Sequence, residues 1–97
     1  MKTKEITNLE NNGSPYFGVR ILIRDKESYT RVILYFKETA IKTETFEDDA
    51  LRGKTNYIFD KEEKQVARIN PLRRIIELTK EVKEEIRSKI EKIISGY

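Results

Sequence analysis

The side chains able to do chemistry in this chain are arginine, lysine, tyrosine, aspartate, glutamate and the hydroxyls of serine and threonine, because its 97 residues include no His and no Cys. Without either, thiolate and imidazole metal sites, disulfides and the Ser/His, Cys/His and cysteine-nucleophile forms of covalent catalysis are closed. No metal or cofactor is expected, and the role expected is not enzymatic. What remains is a set of cations interleaved with aromatic rings: Arg20, Arg24, Tyr29, Arg31, Tyr35 and Lys37. Gathered on one surface, such residues could follow a phosphate backbone while the tyrosines stack unpaired bases. The competing reading is structural, with the Arg and Lys stems lying over Leu22 and Ile33 in a second small core beneath a loop or partner.

A second cationic pair, Arg73 and Arg74, comes after Asn70-Pro71. If a helix begins there, both charges oppose its dipole, typically at a cost of about 0.3–1 kcal/mol each. With the free amides of the first turn they could hold a phosphate or carboxylate. Alternatively Arg73 pairs with Glu77 and Arg74 is solvated. Glu44, Glu47, Asp48, Asp49 and Asp60 make the middle of the chain acidic, and Glu62-Glu63-Lys64 has the carboxylate-x-Lys form of some nuclease sites. That tripeptide falls in an expected hairpin turn rather than on a strand, so it reads as a soluble turn. No glycine-rich phosphate loop, serine elbow or calcium loop is present.

The elements that must position these residues can be read from periodicity. Residues 1–14 are polar and end in the turn formers Asn11-Asn12-Gly13-Ser14-Pro15, so they form a flexible arm or one short strand, Glu5 to Leu9. Residues 15–97 are expected to form a single domain. Phe17, Val19, Ile21 and Ile23 alternate with Arg20, Leu22 and Arg24, which is the period of a half-buried strand. A polar turn, Asp25 to Ser28, leads to Tyr29–Lys37, whose β-branched and aromatic residues also alternate. These two strands are expected to form a hairpin. A weaker strand is expected over Ala40–Phe46, then a helical turn or loop over Glu47–Gly53. Tyr57 to Ile69 reads as a second hairpin with a charged turn at Lys61 to Lys64. The sheet therefore spans 16–69 with four or five strands.

Asn70 as cap and Pro71 as first helical residue predict a helix over 71–95, ended by Gly96. Leu72, Ile75, Ile76, Thr79, Val82, Ile86, Ile90, Ile93 and Ile94 then share one face. A helix of about 24 residues is roughly 36 Å long, whereas a strand of about 8 residues spans roughly 27 Å. The overhang would leave the isoleucines of its last turns, Ile86, Ile90, Ile93 and Ile94, in need of cover, and a second copy of the chain is the simplest candidate. Its outer face, with Glu85 and Lys89 four apart, is expected to be solvated.

The expected fold class is α+β, an antiparallel sheet packed on one long C-terminal helix. The order of these elements is similar to that of a family of dimeric transcriptional coactivators that bind single-stranded DNA on their sheets. The likeness lies in that order, and no functional residue is carried over from it. Charged residues make up 38% of the chain with signs interspersed and no Trp, a usage that leans towards a thermophilic source. The N-terminus has no apolar signal segment and no apolar run is long enough to span a membrane, so a cytoplasmic location is expected. The net charge of +3 is too small to demand a polyanionic partner, so the placement of the cations matters more than their sum. These features lead to a dimeric accessory protein that binds single-stranded DNA or RNA through Arg20, Arg24, Tyr29, Arg31, Tyr35, Lys37, Arg73 and Arg74. The alternative is a protein-interaction module, such as a virus- or plasmid-encoded inhibitor or adaptor.

Overall fold

The computed structural model describes residues 3–9, 16–39, 42–48, 53–60 and 62–95, with 42–48 and 53–54 as backbone alone. Along the chain these form β1 (Lys4–Asn8), β2 (Phe17–Ile23), α1 (Lys26–Glu38), β3 (Lys42–Asp48), β4 (Gly53–Phe59), β5 (Gln65–Asn70), β6 (Ile75–Thr79) and α2 (Lys83–Ile94). The six strands make one sheet in the order β1-β2-β6-β5-β4-β3, and every neighbouring pair is antiparallel.

One face of that sheet is the core. Val19, Ile21 and Ile23 of β2 alternate inward, Ile21 lies opposite Ile76, and Ile76 lies opposite Ile69. Leu78 is paired with both Val19 and Ala67, which extends the apolar layer across three strands. Both helices cover this face. Val32 and Phe36 of α1 and Ile86 and Ile90 of α2 belong to the same buried cluster as the strand residues. Each aliphatic or Phe side chain so buried stabilises the fold by roughly 1.5–3 kcal/mol.

The α+β class, the antiparallel sheet and the packing of the C-terminal helix on it agree with expectation, while several boundaries differ. Tyr29–Lys37 is not the second strand of a hairpin but most of helix α1. Asp25 caps that helix, accepting from the amides of Glu27 at 3.3 Å and Ser28 at 3.2 Å. Ser28, Val32 and Phe36, four residues apart, are the buried stripe.

Residues 71–95 are not one helix. Pro71 to Arg74 form the turn between β5 and β6, Ile75–Thr79 is a strand, and only Lys83–Ile94 is helical. Asn70 does hydrogen-bond the chain ahead, its Oδ1 accepting from the amide of Arg73 at 3.1 Å, but the bond closes a hairpin rather than opening a helix. The extra strand brings the sheet to six rather than four or five. At 12 residues α2 spans roughly 18 Å and has no overhang. Ile86 and Ile90 are buried in the protomer's own core and Ile93 and Ile94 pack against it, so the argument for covering them with a second copy lapses.

The expected first strand is real and runs Lys4–Asn8, paired along its length with β2. The weak third strand corresponds to β3, paired with β4, and the charged turn of the second hairpin lies between β4 and β5. The turn cluster 11–15, the segment 49–52 and Gly96 lie outside the described residues. No described helix is long and apolar enough to cross a membrane.

Candidate nucleic-acid interface on the helix-free face

The face of the sheet opposite the helices is built by the alternate residues of the same strands. Thr7, Arg20, Glu77, Arg68 and Tyr57 stand in one cross-strand row, each in register with the next. At its centre the Glu77 carboxylate accepts from Nε of Arg68 at 2.6 Å and from Nη2 of Arg20 at 3.2 Å. The Glu77 side chain is only 8% exposed, while that of Arg20 is 47% exposed. The carboxylate thus lies sunk between two guanidiniums that reach solvent. A guanidinium has five N–H donors, so one carboxylate cannot saturate two of them.

Arg68 also covers an aromatic ring, with Cζ 4.1 Å from the centroid of Phe17. A cation over a ring face is held by the ring quadrupole, at about 0.5–1 kcal/mol in exposed sites. Tyr16, 51% exposed, meets Phe17 edge-on with centroids 5.1 Å apart. The next row contains Glu5, Leu22, Ile75 and Asn70, with Leu22 and Ile75 half-buried.

Beyond it lies a basic end. Arg24 forms an ion pair with Glu5. Arg74 donates from Nη1 to the carbonyl of Arg24 at 2.6 Å, and its own carbonyl accepts from the amide of Ile23. Arg74 adopts a left-handed φ of 55°, which lets the four-residue turn close. Leu72, 74% exposed, projects from the same turn beside Arg73.

The sequence-derived site is therefore divided between two layers. Arg20 and Arg24 lie on the helix-free face and Arg73 and Arg74 at its end. Because those last two arginines occupy a hairpin turn, neither the clash with a helix dipole nor the cradle of first-turn amides exists there. Tyr29, Arg31, Tyr35 and Lys37 are on α1, in the layer that covers the other face. Arg31 is engaged locally, donating to Glu27 at 3.0 Å and to Ser28 Oγ at 3.2 Å. Tyr35 is half-buried beside Phe36, and Lys37 is exposed in the last turn, where the helix dipole favours a cation. Tyr29 is half-buried, and burial pushes its phenol up to about 12, partly opposed by the Arg74 cation. Ile33 packs on the core instead of joining Leu22.

Sequence reasoning misses Phe17, Tyr57, Arg68 and Glu77 of the central row and its surroundings. Arg68 carries a usable signal, as the polar residue between the inward-facing Ala67 and Ile69. Glu77 carries none, because its strand reads as helix. The acidic turn behaves as a turn: Asp60 Oδ1 accepts from the amides of Glu62 and Lys64, both at 2.9 Å, and Lys64 pairs with Glu81. Among the described residues no group of three or more carboxylates is placed to hold a metal ion. On α2, Glu85 and Lys89 form the expected weak surface pair at 3.5 Å.

Comparison of the chain with protein-family models, with curated proteins and with solved structures finds no match in any of the three.

Proposed function

We propose that the protein is a small, non-enzymatic nucleic-acid-binding accessory protein that receives single-stranded DNA or RNA across the helix-free face. The observation that supports this reading is a charge asymmetry. Among the described side chains, Arg20, Arg24, Arg68, Arg73 and Arg74 lie on that face or at its end with Glu5 and Glu77 between them, five cations against two carboxylates. Tyr16 and the Arg68 guanidinium offer flat surfaces to unstacked bases, and the arginines offer donors to phosphates.

The test is binding of labelled single-stranded DNA and RNA as a function of salt. Each phosphate neutralised contributes a slope of about −0.7 in log K against log salt, so five arginines give at most about −3.5. Arg20→Ala should flatten that slope by about 0.7. Absence of binding at low salt excludes the reading.

One observation favours a second reading, a protein-interaction module that engages an acidic or apolar partner surface. Leu72 stands out from the basic turn at 74% exposure, with half-buried Leu22 and Ile75 behind it. A protein contact centred on these residues would respond weakly to salt and be lost in Leu72→Asp.

A further inference from the structure

The strand order ends at β1, so one edge of that strand has no described strand beside it. Two hydrogen bonds to β2 determine which residues present their backbone there. The amide of Arg24 donates to the carbonyl of Thr3 at 2.9 Å, and the amide of Leu9 donates to the carbonyl of Gly18 at 3.0 Å. Odd-numbered residues of β1 thus turn their backbone groups towards β2, and by alternation Lys4 and Ile6 turn theirs to the free edge. Beside that edge is an open groove of about 670 Å³ lined by residues 3 to 7 and by Ile94 and Ser95 at the end of α2.

We propose that a second copy of this chain adds its own β1 to this edge, antiparallel about a two-fold axis at Ile6, joining two six-stranded sheets into one. The side chains of β1 select both the partner and the register. With the axis at Ile6, Ile6 meets Ile6 of the second copy, Glu5 meets Thr7, and Lys4 meets Asn8. No like charges face each other. An axis at Glu5 would oppose two glutamates, which is unfavourable across a strand pair. An axis at Thr7 would set Ile6 against Asn8. The register centred on Ile6 also brings its side chain, half-buried on the helix side, together with Ile94 from each copy over the seam.

Lysines commonly guard sheet edges, but Lys4 does not guard this one. Its ammonium is drawn 4.0 Å from Glu91 of its own α2. The interface is independent of the nucleic-acid reading, and it replaces the end of α2 as the centre of the expected homodimer.

The test combines light scattering after size exclusion with cysteine cross-linking, which the absence of native Cys makes unambiguous. The wild-type chain should have twice the monomer mass at high concentration. Thr7→Glu should weaken dimerisation by roughly tenfold by facing Glu5 of the second copy. The same substitution keeps the protomer folded, since Thr7 lies opposite Arg20 in its own sheet. Ile6→Cys should form a disulfide-linked dimer on oxidation, because directly opposed residues sit about 5.5 Å apart between Cα atoms. Asn8→Cys should not, its counterpart being roughly 13 Å away along the strand. A monomer at every concentration would overturn the proposal and leave the edge to an extended peptide of another protein. A dimer in which Asn8→Cys links as readily as Ile6→Cys would also overturn it, whether or not Thr7→Glu folds.

Discussion

Glu77 holds Arg68 at 2.6 Å from the centre of the sheet, and the same carboxylate reaches Arg20 on the opposite neighbouring strand. One acidic side chain therefore ties β5, β6 and β2 together on the face that lacks helices. It also fixes the direction of the two central cations.

Removing that charge should separate stability from binding. Glu77→Gln leaves two guanidiniums without their ionic partner, and because both arginines reach solvent the loss is expected to be about 1–3 kcal/mol rather than the larger value of a fully buried pair. Urea unfolding measures it. Affinity for single-stranded nucleic acid should rise in the same variant as the local charge becomes more positive. Unchanged stability would show that Glu77 does not organise the row.

The two layers make opposite predictions for their cations. Arg24→Ala and Arg73→Ala should each flatten the salt dependence of nucleic-acid binding by about 0.7 in slope. Arg31→Ala and Lys37→Ala, on α1, should leave it unchanged. If the α1 variants carry the loss, the binding surface is the helical layer.

Asp25 gives the fold an acid-sensitive component. Its carboxyl is held below the usual value of 3.8, first by the hydroxyl of Ser28, which donates at 2.5 Å; burial opposes this as the next largest influence, and the amides of Ser28 and Glu27 and the Arg31 cation then add to the lowering. A depressed folded pKa means that this contribution is present above 3.8 and is lost as pH falls through the folded value. Asp25→Asn, which preserves a capping oxygen without the charge, should reduce the slope of stability against pH below 3.8, as measured by urea unfolding across that range. An unaltered pH profile would refute the assignment.

Glu63 occupies the left-handed region with φ of 65° in the β4–β5 turn. A residue with a Cβ is strained there by about 1–2 kcal/mol, whereas Gly is not, though Gly loses more chain entropy on folding. Glu63→Gly should therefore stabilise the protein by about 0.5–1 kcal/mol, seen as a higher thermal midpoint. A lower midpoint would mean that Glu63 is held by interactions its exposure does not suggest.

Two residues explain most of what could and could not be read from the chain. Asp25 and Asn70 make the same local bond, a side-chain oxygen accepting from the amide three residues on, at 3.2 Å from Ser28 and 3.1 Å from Arg73. One opens a helix and the other closes a hairpin, so the residues at the junction leave both outcomes open. The segments beyond these two junctions are equally ambiguous. Val32 and Phe36 are four apart, which suits a helix, but with Thr30 and Leu34 they also alternate as in a strand. Ile75, Ile76 and Thr79 suit a helix face, yet Ile76 and Leu78 are the pair that points inward. Packing decided both cases, since Ser28 completes the buried stripe of α1 and β6 fills the gap between β2 and β5. Where no such conflict existed, as in Val19, Ile21 and Ile23, alternation placed the inward face correctly, and with it Arg20 and Arg24 on the other side.

The position of β6 also has a consequence for the order in which the molecule can assemble. Without residues 75–79 the described strands fall into a two-stranded piece, β1-β2, and a three-stranded piece, β5-β4-β3, with no described strand to join their edges. The two pieces can join into one sheet only once β6 is in place, and Ile76 and Leu78 then link their apolar layers.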